Sequence, residues 1–188
     1  MGSPSKEESV AELFFNEPSK HWHFHEMVRT AQVSEAAASK WLKKLRSEGV
    51  IRHVKPRGKM PYFQAALNHP SYDHRKRIYA LQKLHKTGLL TRLLQLKKAQ
   101  AIILFGSWYR GDWNSTSDVD VFVLGDAGRL RFGMPWPGLG FQGRARQVEV
   151  HSFRSRAALK DIRSGLLKNV AQGYFIKGSI HDIAEVAL

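Results

Sequence analysis

Residues 101–125, AIILFGSWYRGDWNSTSDVDVFVLG, restrict the fold more than any other stretch of this 188-residue chain. The run 101–105 is apolar, rich in Ile and too short for an ordinary helix, so it reads as a buried strand that Gly106 ends. Gly106-Ser107 opens a turn where backbone without a side chain admits a bulky group and a hydroxyl stands ready to hydrogen-bond it. A phosphate is the natural guest. From Ser117 to Val123 strand alternation puts Asp118 and Asp120 on one face and Val119, Val121 and Val123 on the other. Two adjacent carboxylates raise each other's pKa unless a cation sits between them. A hard divalent ion is the usual remedy, and magnesium fits such a site because it takes few protein carboxylates and completes its shell with water and phosphate oxygens.

Gly106, Ser107, Gly111, Ser117, Asp118 and Asp120 resemble the GS-x3-G-x5-S-D-x-D signature of the DNA polymerase beta-like nucleotidyltransferase superfamily, particularly its small prokaryotic "minimal" members. The spacing matches without a gap over 101–123, and a looser likeness runs to the C-terminus. The resemblance implies that Ser107, helped by the Gly106 backbone, holds a nucleoside triphosphate, and that Asp118 and Asp120 hold one or two Mg2+ ions. Arg110, beside Gly111, would steady the leaving phosphates. An acceptor hydroxyl would then attack the alpha-phosphate in line and release pyrophosphate. Further on, Arg146 to Phe153 (RQVEVHSF) alternates again, so that Glu149 and His151 share one face. In the superfamily a third carboxylate from a following strand joins the Asp-x-Asp pair as metal ligand or base, and Glu149 occupies the matching place, where Asp is more common. His151 is the competing candidate for the base.

Charge separates the chain into unlike halves. Residues 1–98 hold 19 Lys and Arg against 8 Asp and Glu, a net +11, and the remainder holds 11 against 8, a net +3, which together make the +14 of the whole. A basic half beside a nearly balanced half points to a module that meets a polyanion, with nucleic acid the leading candidate. Within that half, helices are expected at 5–16, 24–30 and 34–47, the last with Ala38, Trp41, Leu42 and Leu45 on its inner stripe. Short strands at 50–54 and 60–65 follow, joined by the basic tip Lys55-Pro56-Arg57-Gly58-Lys59. Three helices and a hairpin are the order of a winged helix, and EMVRTAQVSEAAASKWLKKLRSEGVIRHV resembles the helix-turn-helix and wing of prokaryotic winged-helix regulators. That resemblance implicates Ser39, Lys40 and Lys43 on the third helix and Lys55, Arg57 and Lys59 on the wing in DNA binding. The alternating His21, His23 and His25 straddle a helix start, where alternate residues do not share a face, so they are read as surface or partly packed side chains.

The expected architecture is therefore α+β: a winged helix over 1–67, a helical linker over 68–97 and a small mixed-sheet nucleotidyltransferase domain over 98–188. In the linker, a helix at 72–86 with Ile78, Leu81 and Leu84 on one face precedes a leucine-rich helix at 89–96. That leucine load, beside a winged helix, favours a homodimer. Residues 125–143 are too rich in Gly and Pro for regular structure and read as a loop, either a mobile excursion or a lid whose Arg129, Arg131, Trp136 and Phe141 cover a nucleotide. A helix over 157–173, an edge segment at 174–177 and an amphipathic tail at 182–188 close the chain. The absence of Cys removes disulfides and thiolate metal sites and suits a cytoplasmic address, and no apolar run approaches a membrane span. Two functions follow: a magnesium-dependent nucleotidyltransferase coupled to a nucleic-acid-binding module, or a DNA-binding transcription regulator whose second domain is an inactive nucleotide sensor or scaffold. Small members of the superfamily lack a large substrate-binding domain, so the resemblance also implies that a partner protein brings, or is, the acceptor.

Overall fold

The computed structural model describes residues 4–160, 162 and 164–183, and divides the chain into two compact units, Met1–Ile78 and Tyr79–Leu188. In the first unit α1 (Lys6–Asn16) starts at a capping box in which Ser5 and Glu8 satisfy each other's backbone N–H. It is followed by α2 (Phe24–Ala31) and by α3 (Glu35–Ser47), whose N-terminus is capped by the Ser34 hydroxyl. β1 (Ile51–Val54) and β2 (Tyr62–Ala65) form an antiparallel hairpin in which Ile51 faces Ala65 and Val54 faces Tyr62. Val10, Leu13, Phe14, Trp22, Met27, Leu42 and Leu45 are buried beneath these elements. Trp41 is not part of that stripe: it is only half-buried, and the Lys40 and Lys44 ammonium groups lie 4.9 and 5.2 Å from its ring. His21 stacks on Tyr62 at 3.9 Å, and His23 Nδ1 lies 3.0 Å from the Pro61 carbonyl.

One ionic contact ties three helices of this unit together. Glu7 on α1 accepts hydrogen bonds from Lys44 on α3 and from Arg75 on α4 (Pro70–Lys86). Burial works against ionisation of Glu7, yet the bonds from Arg75 and Lys44 outweigh it and hold the carboxyl below the ordinary Glu range. A depressed carboxyl pKa adds stability above the unfolded value of about 4.3 and loses it as pH falls through the folded value. The unfolding midpoint of the protein should accordingly drop more steeply below pH ~4 than that of Glu7→Gln, and the variant should be less stable at pH 7 by about 1 kcal/mol. Parallel acid limbs in the two would show that the ionic contact contributes nothing.

Helix α4 carries an apolar set different from the expected one. Leu84 is buried, as are Tyr72, Tyr79 and Ala80, but Ile78 and Leu81 are 52% and 40% exposed. The aromatic rings, being larger, set the buried stripe, and it runs one position away from the aliphatic series. The second unit then continues with α5 (Leu89–Leu94), β3 (Ala99–Phe105), the single-turn α6 (Gly106–Arg110), β4 (Val119–Gly125), β5 (Met134–Trp136) and β6 (Arg146–Phe153). It closes with a 3-10 turn at Arg156–Leu159, α7 (Ser164–Ala171) and β7 (Tyr174–Lys177). The expected single helix over 157–173 is thus two pieces. Leu159 is anchored in the core while Ser164-Gly165, poor helix formers, begin a new helix. Part of the expected C-terminal tail, residues 184–188, lies outside the described residues, as do 161 and 163.

The five strands form one mixed sheet in the order β5-β6-β4-β3-β7. All pairings are antiparallel except that of β4 with β6, which run in parallel with Asp120 opposite Glu149 and Phe122 opposite His151. Ala101, Ile103, Phe105, Phe122 and Leu124 on one face pack with Leu159 and Val170, while Val119, Val121 and Val123 on the other face are also fully buried. A sheet covered on both faces explains why β3 reads as a continuous apolar run rather than an alternating one. No helix among the described residues is long and apolar enough to cross a membrane.

Candidate active site

The parallel pairing of β4 and β6 does for the site what neither strand does alone. Asp120 alternates with the buried valines of β4, Glu149 and His151 alternate with Val148 and Val150 of β6, and the register sets the three polar side chains on one face. One ligand atom from each of Asp120, Glu149 and His151 lies within 4.8 Å of the others. All three residues are half-buried, so the groups are sheltered but reachable. Burial first, then the charges of Asp118 and Asp120, push the Glu149 carboxyl above its ordinary value, partly offset by His151. Crowded acids of this kind gain from a cation, and the donor set of two carboxylates and an imidazole suits a divalent metal. Asp118 stands one residue before β4, outside the converging triad, but near enough for its charge to reach Glu149.

Gly106 follows β3 directly, with φ +72°, and a Cβ on it would stand 2.1 Å from Asp120 Oδ2. The space a side chain would take is therefore the space of the carboxylate. Gly106→Ala should displace Asp120 and weaken any divalent-ion binding at this cluster by about tenfold or more, as read by calorimetric titration. Unchanged affinity would mean that Asp120 has room to move aside without cost. Ser107 is half-buried in the first turn of α6, and Gly111, at φ +91°, ends that turn with its N–H on the Ser107 carbonyl. Arg110 is exposed, and its guanidinium donates to Asp112 Oδ2 at 3.2 Å. The Ser117 hydroxyl accepts from the Asn114 N–H at 3.0 Å, while Asn114 Oδ1 accepts from Thr116. Ser117 thus closes the turn that delivers Asp118 to the strand.

That turn has a support that the sequence did not announce. Arg146, the first residue of β6, is only 3% exposed, and its guanidinium stacks 4.6 Å from the Trp108 ring and 5.3 Å from Trp113. It donates to the carbonyls of Asn114 at 2.9 Å, of Leu139 at 3.3 Å and of Ser117. A single Arg among the many of a basic chain carries no signal by itself; the two tryptophans of the GSWYRGDW segment were the available clue.

Residues 126–145 are better ordered than their Gly and Pro content suggests. Met134–Trp136 adds an edge strand antiparallel to β6, with Pro135 at the sheet margin where a missing N–H costs no ladder bond. Of the four side chains expected to form a lid, two are committed elsewhere: Trp136 Nε1 donates to the Thr87 carbonyl at 3.1 Å, and Phe141 is buried. Arg131 donates to the Gly128 and Leu130 carbonyls of its own loop. The aromatic that does reach the site is Phe132, 61% exposed and edge-on to His151 at 5.2 Å.

A family model described as a nucleotidyltransferase domain matches residues 86–175, just under half of the chain. The matched stretch contains Gly106, the Asp-x-Asp strand, Glu149 and His151, so the fold and the polar cluster fall within a segment similar to that domain. No curated protein and no solved structure matches the chain.

Proposed function

We propose that the chain transfers a nucleoside monophosphate from a nucleoside triphosphate to a hydroxyl acceptor, with magnesium, from the site on β4 and β6, and that its basic first unit brings that site to nucleic acid. The observation that carries this reading is the convergence of Asp120, Glu149 and His151 beside Gly106 within the stretch similar to a nucleotidyltransferase domain. Reactions of this class ask little of a protein beyond positioning and charge neutralisation. When bound, a divalent ion neutralises phosphate charge and aligns the attacking and leaving oxygens. In this scheme Asp118, Asp120 and Glu149 hold the ion or ions, and the Gly106-Ser107 turn receives the phosphates. Arg110 swings from Asp112 toward the leaving pyrophosphate, and Gly111 and Ser117 keep the two turns in shape. Alternatively, Glu149 leaves the ion to the two aspartates and accepts the acceptor hydroxyl's proton.

Incubating the full chain with radiolabelled nucleoside triphosphates, Mg2+ and protein or RNA acceptors should transfer label. If neither label transfer nor magnesium-dependent nucleotide binding occurs, the enzyme reading fails, and the chain is better described as a DNA-binding regulator with an inert second unit. For the first unit, the order α1-α2-α3-β1-β2 supports a winged helix. Ser39, Lys40 and Lys43 are exposed on α3, and Lys55, Arg57 and Lys59 are exposed at the hairpin tip. Replacing Lys40, Lys43, Arg57 and Lys59 by Ala should weaken duplex binding and reduce the dependence of log K on log salt by about 0.9 for each phosphate no longer neutralised. An unchanged salt slope would move the binding surface elsewhere.

A further inference from the structure

Three acids are what the sequence nominates for the metal, yet the third group that converges with Asp120 and Glu149 is an imidazole. His151 Nε2 lies 3.8 Å from Asp120 Oδ1 and 3.9 Å from Glu149 Oε2. These separations are too long for hydrogen bonds. They are in the range set by one shared ion, since ligand atoms held ~2.1 Å from a metal stand roughly 3 to 4 Å apart. The placement of the ring is not incidental to the strand. Register pairs His151 with Phe122, on the face that carries Asp120, and the ring lies against Phe105 at 5.4 Å and Phe132 at 5.2 Å. With the ring placed against these two aromatics, Nε2 is the nitrogen that faces both carboxylates.

Ligand chemistry then distinguishes the ions. Magnesium is a hard cation that is served by oxygen and gains little from a nitrogen ligand, whereas imidazole suits first-row transition dications. Zinc with three protein ligands tends to close into a tetrahedron, which leaves little room for a triphosphate. Manganese accepts carboxylate, water and phosphate oxygens in an octahedral shell and also accepts imidazole. We infer that His151, through Nε2, is the third protein ligand of this site beside Asp120 and Glu149, and that it biases the site toward Mn2+ over Mg2+. The inference rests on the transfer reading for its purpose, but its test does not depend on turnover.

Mn2+ is titrated into the full chain and followed by electron paramagnetic resonance, Mg2+ is added as competitor, and pulsed measurements look for nitrogen hyperfine coupling to the bound ion. The wild-type chain should show the coupling. His151→Ala should abolish it and lower the Mn2+ to Mg2+ affinity ratio by about tenfold or more. His151→Asp should abolish the coupling, lower the same ratio and strengthen Mg2+ binding, which separates a ligand role from mere loss of fold. Asp120→Asn should remove the coupled signal, which assigns it to this cluster rather than to another of the chain's nine histidines. Mn2+ bound without nitrogen coupling, no Mn2+ binding at all, or a ratio indifferent to both His151 variants would overturn the inference. Nitrogen-coupled Mn2+ with neither label transfer nor magnesium-dependent nucleotide binding would sustain it and sink the transfer reading; label transfer with Mg2+ and no nitrogen coupling would do the reverse.

Discussion

Asp120→Asn is expected to lower the rate of the proposed nucleotidyl transfer by about 10³-fold while leaving the protein as stable as before or slightly more so. The activity loss follows from geometry: among the described residues Asp120 is the acid that lies against both the Gly106 turn and the Glu149–His151 pair, so a metal held by the cluster loses its central ligand. Loss of ~4 kcal/mol of charge stabilisation corresponds to that factor. The stability outcome follows from electrostatics. The charge of Asp120 helps to raise the Glu149 carboxyl, so its removal relieves a repulsion within the cluster. Sites arranged for chemistry commonly oppose stability in this way. The assay is label transfer at saturating nucleotide beside a thermal melt of the same preparation. Concurrent loss of activity and of several degrees in the melt would assign Asp120 a structural role instead.

The second large effect concerns a residue outside the cluster. Arg146→Ala should destabilise the protein by roughly 3 kcal/mol, because three carbonyls lose a charged donor and the stacked pair of indoles loses the cation beside it. For a unit of this size the unfolding midpoint should fall on the order of 10 °C. Arg146→Lys should recover only part of the difference, since an ammonium lacks the planar fork that reaches several carbonyls while stacked on a ring. Amide hydrogen exchange gives a local readout: protection should fall in the 114–118 turn at temperatures where β3 remains protected. Equal loss of protection across the whole sheet would mean that Arg146 supports the fold generally and has no special hold on that turn.

How far such features were visible in the sequence depends on whether they are local. The strand before Gly106, the alternation of Asp120 with valines, and the starts of the first and third helices are short-range patterns, and each appears close to where it was expected, although Asp118 stands one residue before the strand rather than on it. The pairing of β4 with β6 is not short-range, and it decides which groups meet. Alternation alone put Glu149 and His151 on the same face but did not say which of them would come close to Asp120; the register brings both. Pro135 argued against a strand, and only its position at the sheet margin makes one tolerable. Trp41, Ile78 and Leu81 went astray for a related reason, because helical periodicity names a face without saying which of several apolar groups the neighbouring elements have room to cover. Arg146 was illegible because its role is defined by carbonyls, which every residue possesses.

The parallel register of β4 and β6 also has a consequence in time. Parallel neighbours cannot be joined by a tight hairpin, and here the chain runs through residues 126–145, laying down β5, before β6 returns beside β4. Closing such a loop is entropically expensive and its pairings are non-local, so this step belongs to the later and slower events of folding. Until it is complete, Asp120 has neither Glu149 nor His151 beside it. A newly made chain would therefore fold its hairpins before it owned the candidate metal site, and an ion that binds only the finished register would act as a latch, slowing the reopening of the sheet in proportion to its affinity.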